Sequence, residues 1–242
     1  MPLRSARDAT AIGGAVAFAM LAVLVALGAT DGFDFAVTSW ATDPERNGAV
    51  GVARALTDLG STWAVTLIAA VLFVVLAVRR APWLGIVSAA TIAVVALGNS
   101  TIKLVLGRAR PEVVGATLVE PGFSFPSGHA LMSATAYGVL AVLVLRSRLP
   151  RPARAAIVVG LIGISFVVGA TRVYLGVHFV TDVVGGWIAG AVIVLLYARG
   201  TQSLTPAGDA PATGGAVGSA GSRGVDARID QPPAEPGSAA AP

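Results

Sequence analysis

Cysteine, lysine and histidine are scarce in this 242-residue chain, which has no cysteine, a single lysine and two histidines. The absence of cysteine excludes a disulfide framework, a thiolate zinc site and a cysteine nucleophile. Charged residues make up only 12% of the chain, about half of the ~25% that is usual in soluble domains. Because 55% of the residues are hydrophobic and the mean hydropathy is +0.78, the composition predicts a membrane protein.

Six apolar stretches come close to the roughly 20 residues that a transmembrane helix needs. They cover residues 11–30, 62–78, 83–106, 130–145, 155–171 and 180–197. As buried helices of a soluble protein, these stretches would leave almost no polar surface. The sequence therefore predicts an all-α, polytopic membrane domain of six transmembrane helices over residues 1–200. Residues 201–242 are rich in Gly, Pro, Ala and Ser without apolar periodicity, and they are predicted to form a disordered cytoplasmic tail.

Arginines in alternate connections orient the six stretches, since short cytoplasmic loops are enriched in basic residues. They are Arg4, Arg7, Arg79, Arg80, Arg146, Arg148, Arg151, Arg154 and Arg199. This pattern predicts that both termini are cytoplasmic, and the Gly-, Ala- and Arg-rich composition suggests a bacterial inner membrane. The first stretch also resembles a secretory signal peptide, whose cleavage would leave the remaining topology unchanged. The net charge of +4 is attributed to helix orientation, and no nucleic-acid partner is expected.

Three polar clusters lie at the predicted outer ends of the third to sixth stretches. The first is "KLVLGRARP", with Lys103, Arg108, Arg110 and Pro111; the second is "PSGH", residues 126–129; the third contains Arg172, His178 and Asp182. Taken singly, each has an ordinary explanation, because basic side chains at helix ends reach lipid headgroups and serine often caps a helix. However, the only lysine and both histidines share one predicted face, whereas unrelated interfacial residues would scatter over both faces.

A phosphoryl group fits these clusters better than a metal ion does. The charges of Lys103, Arg110 and Arg172 would repel a metal cation, whereas the planar fork of arginine and the point charge of lysine match phosphate oxygens. If Ser127 and Gly128 precede the fourth helix, their backbone N–H groups and the positive helix end also face the anion. Gly128 has no side chain, so the backbone can approach closely. We therefore expect a phosphate site that needs neither a metal nor another cofactor.

The two histidines fit complementary roles at such a site. His178 and Asp182 are four residues apart, so they share one face if the sixth helix begins near His178. A carboxylate on one ring nitrogen would fix the tautomer and leave the other nitrogen free to attack phosphorus. His129, from another helix, could protonate the leaving oxygen and later activate water.

The order and spacing of these residues resemble the three-part signature of the type-2 phosphatidic acid phosphatase superfamily, whose integral-membrane members are lipid phosphate phosphatases related to vanadium haloperoxidases. The parts are Lys103, six residues, Arg110-Pro111; then Pro126-Ser127-Gly128-His129; then Arg172, five residues, His178, three residues, Asp182. One departure is visible: Thr171 stands where the family usually has serine, and it keeps a hydroxyl.

The resemblance implies a metal-independent reaction in which His178 becomes a phosphohistidine, Asp182 orients it and His129 protonates the leaving group. Lys103, Arg110, Ser127, Gly128 and Arg172 would hold the phosphate. The expected activity is hydrolysis of a lipid phosphate or lipid pyrophosphate at the outer membrane boundary, with undecaprenyl pyrophosphate, phosphatidate and phosphatidylglycerol phosphate as candidate substrates. Two alternatives stay open: a phosphotransferase that passes the phosphoryl group to a hydroxyl acceptor, and a non-catalytic phosphate-binding membrane protein.

Overall fold

The computed structural model describes residues 2–45 and 48–204, which form eight α-helices and, within those ranges, no β-strand. The helices are α1 (Pro2–Ala26), α2 (Asp31–Ala41), α3 (Val50–Thr57), α4 (Thr62–Val78), α5 (Pro82–Leu106), α6 (Gly128–Arg146), α7 (Arg151–Tyr174) and α8 (Val180–Gly200). Single 3₁₀ turns follow α3 at Asp58–Gly60 and α8 at Gln202–Leu204. The tail was predicted to begin at residue 201; from residue 205 onward it lies outside the described residues.

Helix α6 lies at the centre of the bundle, where it packs against α4, α5, α7 and α8, while α1 packs against α8. Small residues bring α6 and α8 together: a Cβ atom at Gly186 would lie 2.8 Å from the carbonyl oxygen of Ser127, and one at Gly190 would lie 2.6 Å from Ala134 Cβ. Close backbone contact through small residues is the usual way in which membrane helices pack. It holds the start of α6 firmly against the start of α8.

The prediction of an all-α, polytopic membrane protein is confirmed. Five of the described helices, α1, α5, α6, α7 and α8, are long and apolar enough to cross a membrane, and α4 forms a sixth span if it is taken with Val50–Gly60, from which it is bent by 40°. Large apolar side chains such as Trp63, Leu97 and Val105 are exposed on the bundle surface, where a bilayer would cover them.

The helix ends differ from the predicted stretches by a few residues, for local reasons. α1 ends at Ala26 rather than at residue 30, since the chain then turns through Gly28, which has a φ of +70°. α7 begins at Arg151, four residues early, because Pro152 occupies its first turn, a position that suits proline.

The 31–60 segment is not a plain loop as the apolar pattern implied. It folds into α2, α3 and the following 3₁₀ turn, and these pack against α7 and, for α2, also against α8. Asp34 of α2 and Thr57 of α3 are buried by this packing. The segment therefore brings polar side chains to the same ends of the helices that carry the sequence motifs.

Candidate active site

The three sequence clusters meet where the end of α5, the start of α6, the end of α7 and the start of α8 adjoin the 107–127 loop. Gly107, with a φ of +60°, ends α5 just after Lys103. The loop then returns Arg110 to within 3.3 Å of His178, measured from Nη1 to Nε2. The Arg172 backbone carbonyl accepts the N–H of His178 at 3.3 Å. Motifs that are up to about 80 residues apart thus form one cluster of side chains.

His178 and Asp182 are in contact, but not through the helix face that the sequence suggested. α8 begins at Val180, so His178 lies in the preceding loop rather than in the helix. Asp182, in the first turn, folds its carboxylate back: Oδ2 accepts the Phe179 N–H at 2.9 Å and lies 3.3 Å from His178 Nδ1. Helix capping by Asp182, not an i,i+4 helical pair, therefore positions the histidine.

The two neighbours of the His178 ring determine its tautomer. Arg110 can only donate, so its contact with Nε2 requires that nitrogen to accept, and the proton then belongs on Nδ1, facing the Asp182 carboxylate. Burial lowers the pKa of His178 to about 4, an effect that Asp182 partly opposes and that Arg172 and Arg110 reinforce. Near neutral pH the ring is uncharged, with its lone pair on the nitrogen that faces the arginine.

The cations of the site are held by a short stretch of the 107–127 loop. Arg172 is 1% exposed and donates to Thr57 and to the Glu120 carboxylate, while its Nε has no hydrogen-bond partner among the described residues. Lys103 Nζ donates to the Phe123 carbonyl at 2.5 Å.

Arg110 is bound to the same stretch. It donates to the carbonyls of Pro121 and Gly122 and pairs with Glu120 at 3.3 Å. Burial lowers the pKa of Arg110, and the nearby charge of Arg172 adds to this effect. Two of the three cations therefore pair with one carboxylate, and the third, Lys103, bonds a carbonyl of the same stretch.

The start of α6 differs in one respect from the expectation. The Ser127 N–H donates to the Asp182 backbone carbonyl at 2.9 Å, so it does not point to an anion, and that part of the prediction is wrong. The Ser127 side chain does not cap α6, and within the described part of the chain its buried hydroxyl has no hydrogen-bond partner. Gly128 packs closely: a Cβ atom there would lie 3.0 Å from Asn99 Nδ2.

His129 follows in the first turn of α6 with a partly exposed ring. The charges of Arg172, Glu120 and Lys103 act on that ring. It therefore belongs to the same electrostatic cluster as the other histidine.

The sequence motifs did not reveal which residues support the site through hydrogen bonds and ion pairs. Arg108 donates to Asp182 Oδ1 and to Asp34 Oδ2, both at 2.7 Å, and its guanidinium lies 4.4 Å from the centroid of the Phe179 ring. Thr181 also binds Asp34. Asp34 could not be found from the motifs because it lies in α2, within a segment that reads as a loop. Glu120 could have been suspected as the acidic residue nearest before "PSGH".

Comparison with known proteins identifies the family of this chain. The sequence profile of the PAP2 superfamily matches residues 83–206, which contain all three motifs. Phosphatidylglycerophosphatase B of Bacillus subtilis is 39% identical over 120 residues, 48% of this chain and 58% of that protein. Undecaprenyl-diphosphatase of Sulfolobus acidocaldarius is 31% identical over 123 residues, 49% of this chain and 55% of that protein. The chain thus spans little more than half the length of these curated relatives.

Two solved structures share the fold. The transmembrane PAP2 type phosphatidylglycerolphosphate phosphatase of Bacillus subtilis superposes with a TM-score of 0.73 and 27% identity, over 81% of this chain and 98% of that one. Aquifex aeolicus LpxE gives a TM-score of 0.50 at 23% identity, over 68% of this chain and 92% of that one, a likeness of fold. Since the profile match covers half of the chain together with its three motifs, this protein belongs to the PAP2 superfamily.

Proposed function

We propose that this protein hydrolyses a lipid phosphate or lipid pyrophosphate through a phosphohistidine on His178, without a metal ion, at the outer face of the membrane. One observation carries the proposal: the neutral His178 ring is held between a carboxylate on Nδ1 and an arginine on Nε2. That arrangement provides a nucleophilic nitrogen, a group that orients it, and a cation next to the point of attack.

The phosphoryl group would bind among Lys103, Arg110 and Arg172. Two buried polar atoms, Arg172 Nε and Ser127 Oγ, have no hydrogen-bond partner in residues 2–45 and 48–204, and they are suited to bind its oxygens. Buried polar atoms normally have hydrogen-bond partners, so these two atoms favour a ligand that forms hydrogen bonds with them. The three cations also disfavour a metal ion at this position, which supports a metal-independent reaction.

In the first step, the His178 Nε2 lone pair forms a bond to phosphorus. The bond from phosphorus to the leaving oxygen breaks, its electron pair goes to that oxygen, and His129 supplies the proton. Asp182 stabilises the imidazolium charge that develops on the ring. In the second step, His129 takes a proton from water, which attacks phosphorus, and the P–N bond electrons return to His178 as inorganic phosphate leaves.

An apolar cleft favours a lipid as the substrate. It lies mainly between α5 and α8, has a volume of about 650 Å³, and is lined by side chains such as Ile86, Val94, Ile102 and Ile193. One end reaches Asn99, whose amide nitrogen would lie 3.0 Å from a Cβ atom placed on Gly128, a residue of the proposed phosphate site. A lipid tail in this cleft would therefore present its phosphate to the cations. The names of the two curated relatives make phosphatidylglycerol phosphate and undecaprenyl pyrophosphate the first substrates to test.

The outward orientation rests on arginines at the opposite ends of the helices. The α4–α5 link contains Arg79 and Arg80, the α6–α7 link contains Arg148, and Arg151 begins α7; basic residues favour the cytoplasmic side. The site lies at the other end of these helices and would face outward.

The test is hydrolysis by purified protein in detergent. Phosphatidylglycerol phosphate, phosphatidate and undecaprenyl pyrophosphate are supplied in turn, and released phosphate is measured with and without EDTA. The expected result is turnover of at least one lipid that EDTA leaves unchanged and that His178→Gln abolishes. Turnover that requires an added divalent cation, or that survives His178→Gln, would overturn the proposal.

A further inference from the structure

The stretch from Glu120 to Phe123 lies across the proposed phosphate site and contacts each of its three cations. Glu120 binds Arg110 and Arg172 through different carboxylate oxygens, Oε2 and Oε1 respectively. The carbonyls of residues 121 and 122 accept from Arg110, and that of Phe123 accepts from Lys103. The only charged group of this stretch is the Glu120 carboxylate, so it alone resembles the expected ligand.

Glu120 has the geometry of a phosphate substitute. A guanidinium fork binds carboxylate and phosphate oxygens in the same way, and the carboxylate bridges the two arginines that a phosphoryl group would bridge. Arg172 is 1% exposed, whereas the Glu120 side chain is 26% exposed. The carboxylate therefore lies on the more exposed side of Arg172.

We propose that Glu120 is an internal competitor for the phosphate site: it holds Arg110 and Arg172 when the site is empty, yields them to the phosphoryl group of the substrate, and takes them back as inorganic phosphate leaves. This inference rests on the proposed function, and it assigns to Glu120 a role in product release that the catalytic steps do not include.

A physical reason for such a competitor lies in the burial of Arg172. A buried cation without a partner is costly, so the empty site needs an anion to remain folded in its active form. A site with three unpaired cations would also hold inorganic phosphate tightly after hydrolysis. An internal carboxylate lowers the apparent affinity for phosphate, because binding must first free the arginines.

The experiment compares Glu120→Gln with Glu112→Gln. Both substitutions lie in the 107–127 loop and remove one negative charge, but Glu112 is exposed and outside the cluster. Inhibition by inorganic phosphate and by orthovanadate is measured through the rate at which the dephosphorylated lipid appears. Loss of the Glu120 charge should tighten both inhibition constants by at least about tenfold, the value of one charge-assisted contact. Glu112→Gln should leave them unchanged.

Equal or weaker inhibition of Glu120→Gln would overturn the inference, since it would mean that Glu120 only clamps Arg172 in place. If that variant does not fold, Glu120→Asp replaces it, because the shorter carboxylate spans both arginines poorly; it should shift both constants in the same direction, and no shift overturns the inference.

A failure of the proposed function gives a different result. In that case the unmodified protein releases no product from any lipid phosphate. Thermal stabilisation of the purified protein by phosphate and orthovanadate then compares the variants without turnover, and tighter binding to Glu120→Gln would still support the competition.

Discussion

Arg108 Nη1 lies 2.7 Å from Asp182 Oδ1, while the other oxygen of the same carboxylate faces His178. Arg108 Nη2 also binds Asp34, so one guanidinium neutralises two carboxylates that are fully buried. Burial alone would lower the pKa of Arg108, but the charges of Asp182 and Asp34 and their hydrogen bonds raise it. Arg108 therefore keeps the partner of the proposed nucleophile ionised and ties α2 to the site.

Arg108→Gln should destabilise the protein and lower its activity. It leaves two buried carboxylates without a cation, and breaking a buried pair in this way costs roughly 3–5 kcal/mol. The thermal midpoint in detergent should fall, and adding Asp34→Asn should recover part of the loss because one buried charge is then removed. The exposed Arg79→Gln, at the opposite ends of the helices, is the control. A double variant no more stable than Arg108→Gln would show that the two residues are not coupled.

Much of this organisation could be predicted from sequence because it is encoded locally. Each apolar stretch of about 20 residues became α1 or one of the helices α4 to α8, and each motif marked a helix end, so their meeting on one face followed. α2 and α3 were missed because they are short and of mixed polarity, and they are held by packing against α7 and α8. The contact of Arg108 with Asp34 joins residues 74 positions apart, and no local pattern encodes it.

Arg172→Lys should lower kcat/KM for the lipid substrate by about tenfold or more. Arg172 uses separate nitrogens for Thr57 and Glu120, and its third nitrogen, Nε, has no partner in the part of the chain that the structure describes and can bind a ligand; lysine cannot reproduce that fork. A charge-assisted hydrogen bond is worth roughly 1.5–3 kcal/mol, and each 1.36 kcal/mol is tenfold in rate. Arg79→Lys, exposed at the opposite ends of the helices, should have no effect. Equal kinetics for the two variants would remove Arg172 from the phosphate site.

As the pH is lowered from 7 to 5, the profile of kcat/KM should show no titration of His178. His178 must be neutral to attack, and since its pKa is lowered to about 4, it stays neutral until the pH falls below about 5. A phosphate monoester takes up its own proton near pH 6, so log kcat/KM should fall with a slope of at most one over this range. A slope of two would mean that His178 also gains a proton there. Circular dichroism at each pH should accompany the assay, because unfolding would mimic a fall in rate.

The lowered pKa of His178 also predicts how the stability of the protein depends on pH. Between about pH 6.5, the ordinary value, and about pH 4, the unfolded chain binds a proton at His178 that the folded protein does not bind. Through this group, the free energy of unfolding should therefore fall as the pH is lowered across that window. His178→Gln should lessen the slope, and an unchanged slope would contradict the burial of a neutral ring.

Labelling of single cysteines should place the site outside the cell. The chain has no cysteine, so Val119→Cys and Leu149→Cys each create a unique thiol, and both positions are exposed at opposite ends of α6. A membrane-impermeant maleimide should label residue 119 in intact cells and residue 149 only after the membrane is opened. The reverse pattern would invert the proposed orientation.

The variants His129→Ala and His178→Ala should differ in how strongly their activity depends on the leaving group of the substrate. A lipid alcohol leaves poorly without a proton, whereas p-nitrophenolate leaves well. His129→Ala should therefore lose on the order of 10²–10⁴-fold of the activity on a lipid monophosphate, the usual contribution of general acid catalysis, and much less in forming the phosphoenzyme from p-nitrophenyl phosphate. His178→Ala should lose both reactions, because no other group in the proposed mechanism attacks phosphorus.

Trapping of the intermediate completes this test. In His129→Ala, water attack is also slowed, so radiolabelled phosphate should accumulate on the protein as an acid-labile, base-stable adduct. Asp182→Asn should be intermediate in rate, since the ring keeps its place but loses the charge that stabilises its imidazolium form. The unlabelled control is His178→Ala, in which the attacking nitrogen is missing. Label on that variant would mean that another residue is the nucleophile. Full lipid phosphatase activity in both histidine variants would refute the mechanism, because the contact between His178 and Asp182 would then serve only to hold the start of α8 in place.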